Sequence, residues 1–179
     1  MKNILLAFML IILPLSCILG QEDYDNQEIG VRMSSFDNYE LIYKNQISDN
    51  KYLRLRTVDI NFSVRTRAET SNQYRMGGGF AIGVEKRKIL TDRFEFILGY
   101  ELIAHLNYYK NGEQSVGNYS FGAGFVIGFN YKLTDRINIG IETIPTIMHS
   151  RNFGDIQTTA TTDIDFNSSD VNLLATYRF

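Results

Sequence analysis

The residues that could perform catalysis are few, and the two that come closest to a catalytic pair are neighbours, His149 and Ser150. A histidine that activates a serine must lie within hydrogen-bond reach of it, with a third group to orient the imidazole. Adjacent residues of a strand point to opposite faces, and no carboxylate occurs at a matching spacing. The other histidine, His105, is too far along the chain to complete a metal-binding motif. We therefore predict no enzyme activity, no catalytic residue, no metal site and no cofactor.

Charged residues set among apolar ones carry the chemistry that the sequence favours. A buried charge needs an opposite charge or water beside it, so charges of both signs that face one interior predict a network of salt bridges. The residues that we assign to this lumen charge network are Arg32, Arg54, Arg56, Asp59, Glu85, Glu95, Glu101 and Glu142. Arg65 and Arg87 fall on the same faces.

The elements that must position these charges are long strands in which apolar and polar residues alternate. The even positions are apolar or aromatic from Arg93 to Tyr108, and the odd positions are apolar or aromatic from Tyr119 to Lys132. Such runs exceed the usual strand of about 4–8 residues in a soluble protein and are typical of strands with one face in lipid. Small residues on the other face make room for long charged side chains: Gly122, Gly124 and Gly128.

A repeat sets the number of strands. Asp49, Asp92 and Asp135 lie in turn-like segments at a spacing of 43 residues, and one further step of 43 reaches the end of the chain. Asp and Asn favour tight turns because their side chains bond nearby backbone groups. Three hairpins of equal length follow residue 50, and residues 28–46 form a shorter fourth. We predict an all-β fold, a transmembrane eight-stranded antiparallel up-and-down β-barrel.

Irregular stretches refine this prediction. The alternation slips near Thr57, which predicts a β-bulge there, and Pro145 is expected beyond the membrane or at a bulge because it lacks a ladder donor. The short Asp turns are assigned to the periplasm and the longer polar connections to the outside. Those connections are expected at 67–77, 111–118 and 150–169, with a tight outer turn at Asp37 and Asn38. Both termini are then periplasmic.

The first twenty residues are typical of a secretory signal peptide. Lys2 is followed by a nearly unbroken apolar run from Ile4 to Ile12 and by a small residue, Gly20. The run is too short for a spanning helix, which needs about 20 apolar residues; the alternative is a retained N-terminal anchor. Lipidation at Cys17 is a further alternative that the sequence disfavours, since Pro14 and Leu15 precede it. We predict a signal peptide at 1–20 and one barrel domain at 21–179.

The chain ends on a strand with one apolar face. Its outward residues are Val171, Leu173, Ala175, Tyr177 and Phe179. This ending resembles the C-terminal signature of bacterial outer-membrane β-barrels, and the whole chain from about Glu28 resembles the small OmpA and OmpX type, with an aromatic character similar to barrels of the Bacteroidetes lineage. The resemblance implies that Val171, Leu173, Tyr177 and Phe179 form the signal for the barrel-assembly machinery.

Composition agrees with a barrel and excludes a nucleic-acid partner. The net charge of −2 offers no basic field for nucleic acid, and 12 Phe and 11 Tyr could form the aromatic girdles of a membrane barrel. An eight-stranded barrel is just wide enough for its side chains to fill. We therefore expect a filled lumen and a structural or surface-interaction role through the outer loops, in contact with outer-membrane lipid and lipopolysaccharide and with an unknown extracellular ligand or envelope protein.

Two alternatives stay open. One is a transport or envelope-complex component with a narrow pore. The other is an enzyme that modifies lipid A, because lipid A deacylases of this fold use His and Ser; in their pattern one residue separates the two, whereas His149 and Ser150 are adjacent.

Overall fold

Antiparallel hairpins follow one another along the whole of the computed structural model, which describes residues 26–35, 38–67, 70–112, 114–154, 160–165 and 171–179. The strand segments in these ranges are Gln27–Ser35 (β1), Asn38–Ser48 (β2), Lys51–Arg67 (β3), Thr70–Ile89 (β4), Phe94–Asn111 (β5), Gln114–Lys132 (β6), Ile137–Thr143 (β7), Thr146–Gly154 (β8), Ala160–Asp165 (β9) and Asn172–Arg178 (β10). The predicted signal peptide at 1–20 lies outside the described residues.

The strands close into a barrel. β7 and β8 pair with β6 in one continuous register, from Lys132 opposite Asn138 to Val116 opposite Gly154, so they form a single strand of the barrel. β9 pairs with β8, while β10 pairs with β7 on one side and with β1 on the other. β9 and β10 lie along the same side of the strand made by β7 and β8 and are counted together as one barrel strand. Within the described residues the barrel therefore has eight strands, each antiparallel to its neighbours. The predicted fold class is confirmed.

The stagger of the strands follows from their registers. Cross-strand partners lead from Phe94 through Tyr131, Ile139, Ala175 and Val31 to Leu41. The backbone N–H of Leu41 donates to the Thr57 hydroxyl, and Thr57 lies opposite Phe80, which lies opposite Ala104. The path thus returns to β5 ten residues beyond its start. Such a stagger tilts the strands, as closure of a barrel requires.

The turns match the prediction at one end of the barrel and differ from it at the other. The three Asp-containing connections, at 49–50, 90–93 and 133–136, are short. At the opposite end the predicted loops at 67–77 and 111–118 are wrong, since β3 and β4 are paired up to Arg67 and Thr70, and β5 and β6 up to Asn111 and Gln114. The predicted loop at 150–169 includes the ends of β8 and the whole of β9. The predicted turn at Asp37 lies outside the described residues.

The structure places the bulge of β3 close to its predicted position but shows no bulge at Pro145. The bulge of β3 lies at Asp59 and Ile60, which together face Gly78, rather than at Thr57. Asp59 there adopts a positive φ of 44°, in the left-handed region that Asp tolerates better than most residues. Pro145 lies within the barrel strand and produces no register shift, so of the two placements expected for it, beyond the membrane or at a bulge, the bulge is wrong.

The two faces of the barrel differ in polarity. Large apolar side chains stand exposed on the outside, among them Phe80, Leu102, Phe121, Ile139 and Leu173. The inside holds the buried charged residues together with a small apolar cluster of Ile97, Val126 and Ile144. Among the described residues there is no helix with the length and apolarity needed to cross a membrane.

Candidate functional site

Arg54 occupies the centre of the lumen. Its guanidinium forms ion pairs with three carboxylates on three other strands, Glu85 at 3.1 Å, Glu101 at 3.3 Å and Glu142 at 3.1 Å. The side chains of all four residues are 0% exposed. Buried charges are stable only when they are paired and hydrogen-bonded. Here the guanidinium of Arg54 is shared among three carboxylates.

A second layer of charge surrounds this centre toward the end with the extended strands. Glu40 accepts hydrogen bonds from Arg32 at 2.6 Å and from Arg56 at 2.7 Å. Arg32 also pairs with Glu142, and Arg56 with Glu101. The two arginines therefore connect Glu40 to the central carboxylates, and the lumen is crossed by continuous ion pairs.

A third layer lies toward the short-turn end. Arg87 pairs with Glu28, Glu85 and Glu95, and its guanidinium stacks over the Tyr52 ring, 3.8 Å from the centroid. The outermost pairs of this layer are Arg178 with Glu28 and Lys132 with Glu95, where the cation is partly exposed. Lys44, fully buried, pairs with Glu85 at 2.9 Å.

Glycines on the inner face make room for the large charged side chains. Gly83 lies directly opposite Glu101, Gly99 opposite Glu85, and Gly128 opposite Glu142. A Cβ on Gly83 would lie 2.7 Å from the Cβ of Glu101, well inside van der Waals contact. Each central carboxylate thus has a neighbour without a side chain.

A cavity of about 280 Å³ lies above the network. Arg32, Glu40 and Arg56 line its charged part, and Val58, Ile103, Ile144 and Met148 its apolar part. Ser34 and Asn38 also line it, so the cavity reaches the ends of the short β1–β2 hairpin. Beyond it the inner face carries neutral polar groups, such as Ser120, whose hydroxyl lies 2.8 Å from that of Ser150.

The structure brings together seven of the eight residues predicted for the lumen charge network. Arg32, Arg54, Arg56, Glu85, Glu95, Glu101 and Glu142 are joined by the ion pairs above. The eighth, Asp59, lies elsewhere: it is exposed at the bulge and lines the cavity, and it forms no ion pair within the described part of the chain. Because the bulge lies after Val58, this residue keeps the inward phase of Arg56 and lines the cavity, although a bulge at Thr57 would place it on the outer face. The side chain of Arg65 lies outside the described part.

Among the described residues, five charged members of the network were not predicted: Glu28, Glu40, Lys44, Lys132 and Arg178. Glu40 and Lys44 share their face with Ile42, which is 1% exposed, so this part of β2 lacks a clear division into polar and apolar faces. Glu28 and Arg178 lie directly opposite each other at the ends of the chain. That pairing follows from barrel closure and could have been found from the two end strands.

The two histidines lie on different faces. His149 contacts the ring of Phe121, with centroids 5.4 Å apart, and its Nδ1 lies 3.0 Å from the Thr162 hydroxyl. Ser150, by contrast, points inward to Ser120. His105 lies in the lumen, with Nδ1 3.2 Å from the side-chain amide of Asn107.

The last strand exposes the residues proposed as an assembly signal. Val171, Leu173 and Tyr177 are 53%, 53% and 44% exposed, while Leu174 between them is 2% exposed. The backbone N–H of Phe179 donates to the carbonyl of Gln27 at 3.0 Å. The terminal residue is therefore bonded to the first strand.

Comparison with known proteins gives a limited result. No protein-family model matches the sequence, and no characterised protein matches it significantly. One similar solved structure is the crystal structure of Ail, the attachment invasion locus protein of Yersinia pestis. It shares 9% identity with a TM-score of 0.43, over 86% of this chain and 94% of that one. The architecture described above rests on the strand pairings alone.

Proposed function

We propose that this chain is an integral outer-membrane β-barrel of the OmpA and OmpX type, with a sealed lumen. The observation that carries the proposal is the closed barrel with opposite polarities on its two faces. A closed antiparallel barrel has no edge strand and bonds its backbone internally, which the hydrocarbon of a bilayer requires. The exposed apolar side chains on the outside suit contact with lipid. The salt bridges on the inside suit a polar lumen.

The sealed lumen favours a structural or surface-interaction role over transport. An ion path needs a continuous gap, and the layer of Arg54, Glu85, Glu101 and Glu142 has no exposed side-chain surface. The interaction surface is then formed by the extended ends of β3 to β6. A cavity of about 550 Å³ lies there, lined by Asn61, Phe62, Ser63, Gln73, Tyr74, Arg75 and Tyr109.

The proposal assigns no catalytic role to the chain. The opposite orientations of His149 and Ser150 support this, because the imidazole cannot reach the hydroxyl. Loss of a lipid A mass shift in cells that carry His149→Ala instead of the native chain would contradict it.

Planar-bilayer recording of the refolded protein tests the sealed lumen. We expect no channel events from the native chain and a small ion conductance from a double variant, Arg54→Ser/Glu101→Ser, which removes two central side chains of opposite charge. A matched control, Lys132→Ser, changes a partly exposed cation at the rim and should stay silent. Stable conductance of the native chain would overturn the proposal.

A further inference from the structure

Three exposed lysines lie together on the outer face of the barrel near the short-turn end. Lys51 begins β3, directly after the turn at 49–50, and lies opposite Lys86 of β4. Lys88 follows two residues later on the same face. All three are exposed, whereas Tyr52 and Arg87, which alternate with them, are buried inside. We call Lys51, Lys86 and Lys88 the lysine patch.

The patch is bordered by residues of the apolar outer surface. On one side Lys86 lies opposite Leu98 and Lys88 opposite Phe96. Phe96 packs on Phe129, with ring centroids 5.1 Å apart. Leu53 and Val84, the next pair on the same face, are apolar. The lysines therefore stand at the edge of the surface that faces hydrocarbon, and their long stems let the ammonium groups reach the polar interface.

The arrangement of charge within the patch is unfavourable without an anion. Like charges directly opposite each other on paired strands are destabilising, and Lys51 and Lys86 are such a pair. Within the described residues the side chains of the three lysines form no ion pair or hydrogen bond. Other cations at this end do have partners: Arg93 donates to the Tyr131 hydroxyl at 3.2 Å, and Arg136 to the Tyr177 hydroxyl at 3.3 Å.

We propose that the lysine patch binds the phosphate headgroup of an anionic glycerophospholipid in the leaflet at the short-turn end. The interface of a bilayer presents phosphate groups at the level where snorkelling lysines end, and an anionic lipid adds the net negative charge that three adjacent cations require. Each basic residue near an anionic lipid surface contributes about fivefold to binding. The inference rests on insertion of the barrel into a membrane.

The test measures lipid retention by the full barrel refolded in detergent micelles. Native mass spectrometry would follow titration with phosphatidylglycerol, or with phosphatidylcholine of the same acyl chains. We expect the native protein to retain phosphatidylglycerol preferentially, and a Lys51→Gln/Lys86→Gln/Lys88→Gln variant to bind it about 100-fold more weakly. Added salt should weaken retention as well.

A control is Lys110→Gln/Arg151→Gln, which removes two exposed cations near the opposite end; it should retain phosphatidylglycerol normally. Slower gel mobility after boiling shows that each variant is folded. Equal retention by the native chain and the lysine-patch variant would overturn the inference. Retention of purified lipid A in place of phosphatidylglycerol would also overturn it, in favour of the other leaflet. Because the assay uses micelles, its result is separate from the cellular location of the barrel.

Discussion

Pro145 lies directly opposite Phe125 and accepts the backbone N–H of Phe125 at 3.0 Å, but it returns no hydrogen bond. In an antiparallel ladder, residues paired in this way exchange two bonds, and a prolyl nitrogen has no hydrogen to donate. The register on both sides of Pro145 is continuous. Pro145 thus removes one hydrogen bond from the ladder but does not shift the register of the strands.

Replacing Pro145 with Ala should stabilise the barrel. The new N–H would face the carbonyl of Phe125, and a typical hydrogen bond contributes about 0.5–1.5 kcal/mol. The measurement is the free energy of unfolding from urea titration, followed by gel mobility. Reduced stability would show that the rigid backbone of Pro145 matters more than the missing bond.

Replacing Arg54 with Met should destabilise the barrel strongly. The change leaves Glu85, Glu101 and Glu142 buried without their shared cation, and breaking a buried ion pair costs about 3–5 kcal/mol. The control Lys132→Met removes the partly exposed partner of Glu95 and should cost about 0–1 kcal/mol. Equal losses in the two variants, measured by the same urea titration, would argue against a central role for Arg54.

Substitution of Gly83 and of Gly78 by Ala separates the effect of side-chain crowding on stability from the effect of reduced backbone freedom. A Cβ at Gly83 would meet the carbonyl of Tyr100 and lie 2.7 Å from the Glu101 Cβ, whereas the nearest atom to a Cβ at Gly78 is 3.7 Å away on Ile60. Overpacking costs about 1–3 kcal/mol, so Gly83→Ala should lower the free energy of unfolding and Gly78→Ala should change it little. If both variants lose stability alike, crowding of Glu101 is not the cause.

Cysteine labelling of intact cells tests the orientation. Cys17, the only cysteine, lies within the predicted signal peptide. A membrane-impermeant maleimide should label Ser63→Cys, at the extended end, and should leave Asp92→Cys, in a short turn, unlabelled until the outer membrane is opened. The reverse pattern would place the short turns outside and would contradict the predicted periplasmic termini.

Deleting Phe179 should reduce membrane insertion. The proposed assembly signal of Val171, Leu173, Tyr177 and Phe179 ends on this ring, and the deletion also removes the bond from Phe179 to Gln27. The measurement is the fraction of heat-modifiable protein in the outer membrane. Phe179→Tyr keeps both the aromatic ring and the backbone bond, so it should insert normally. Normal insertion of the deleted chain would refute the signal.

The sequence was sufficient for the parts of the fold where one face is consistently apolar. The alternation in β5 and β6 and the repeated Asp turns predict strand number and phase, because a strand has only two faces. The prediction from the sequence failed at the extended ends of the strands, where Ser, Thr, Asn and Gly led us to expect loops. There both faces of a strand can meet water, so polar residues no longer distinguish a paired strand from a loop.

The lumen charges were predictable where the alternation was strict and missed where it was not. Glu95 and Glu101 alternate with aromatic and apolar residues, whereas Glu40 and Lys44 share a face with buried Ile42. Asp59 shows the opposite error. With a bulge at Thr57 the alternation predicts Asp59 inside the lumen, but the bulge begins two residues later, at Asp59 itself, and this residue is not part of the network. The pattern contains no information on which residue of a short stretch becomes the bulge.

The central ion pairs couple residues that are remote in the chain, since Arg54 and Glu142 are 88 positions apart. The two lie on β3 and β7, which are not neighbours in the barrel. A flat sheet of the same strands would hold their side chains apart, so these charges meet only when β10 joins β1. We therefore expect assembly to be cooperative: partly folded sheets keep hydrated charges that oppose entry into lipid, and ring closure removes this barrier in a single step.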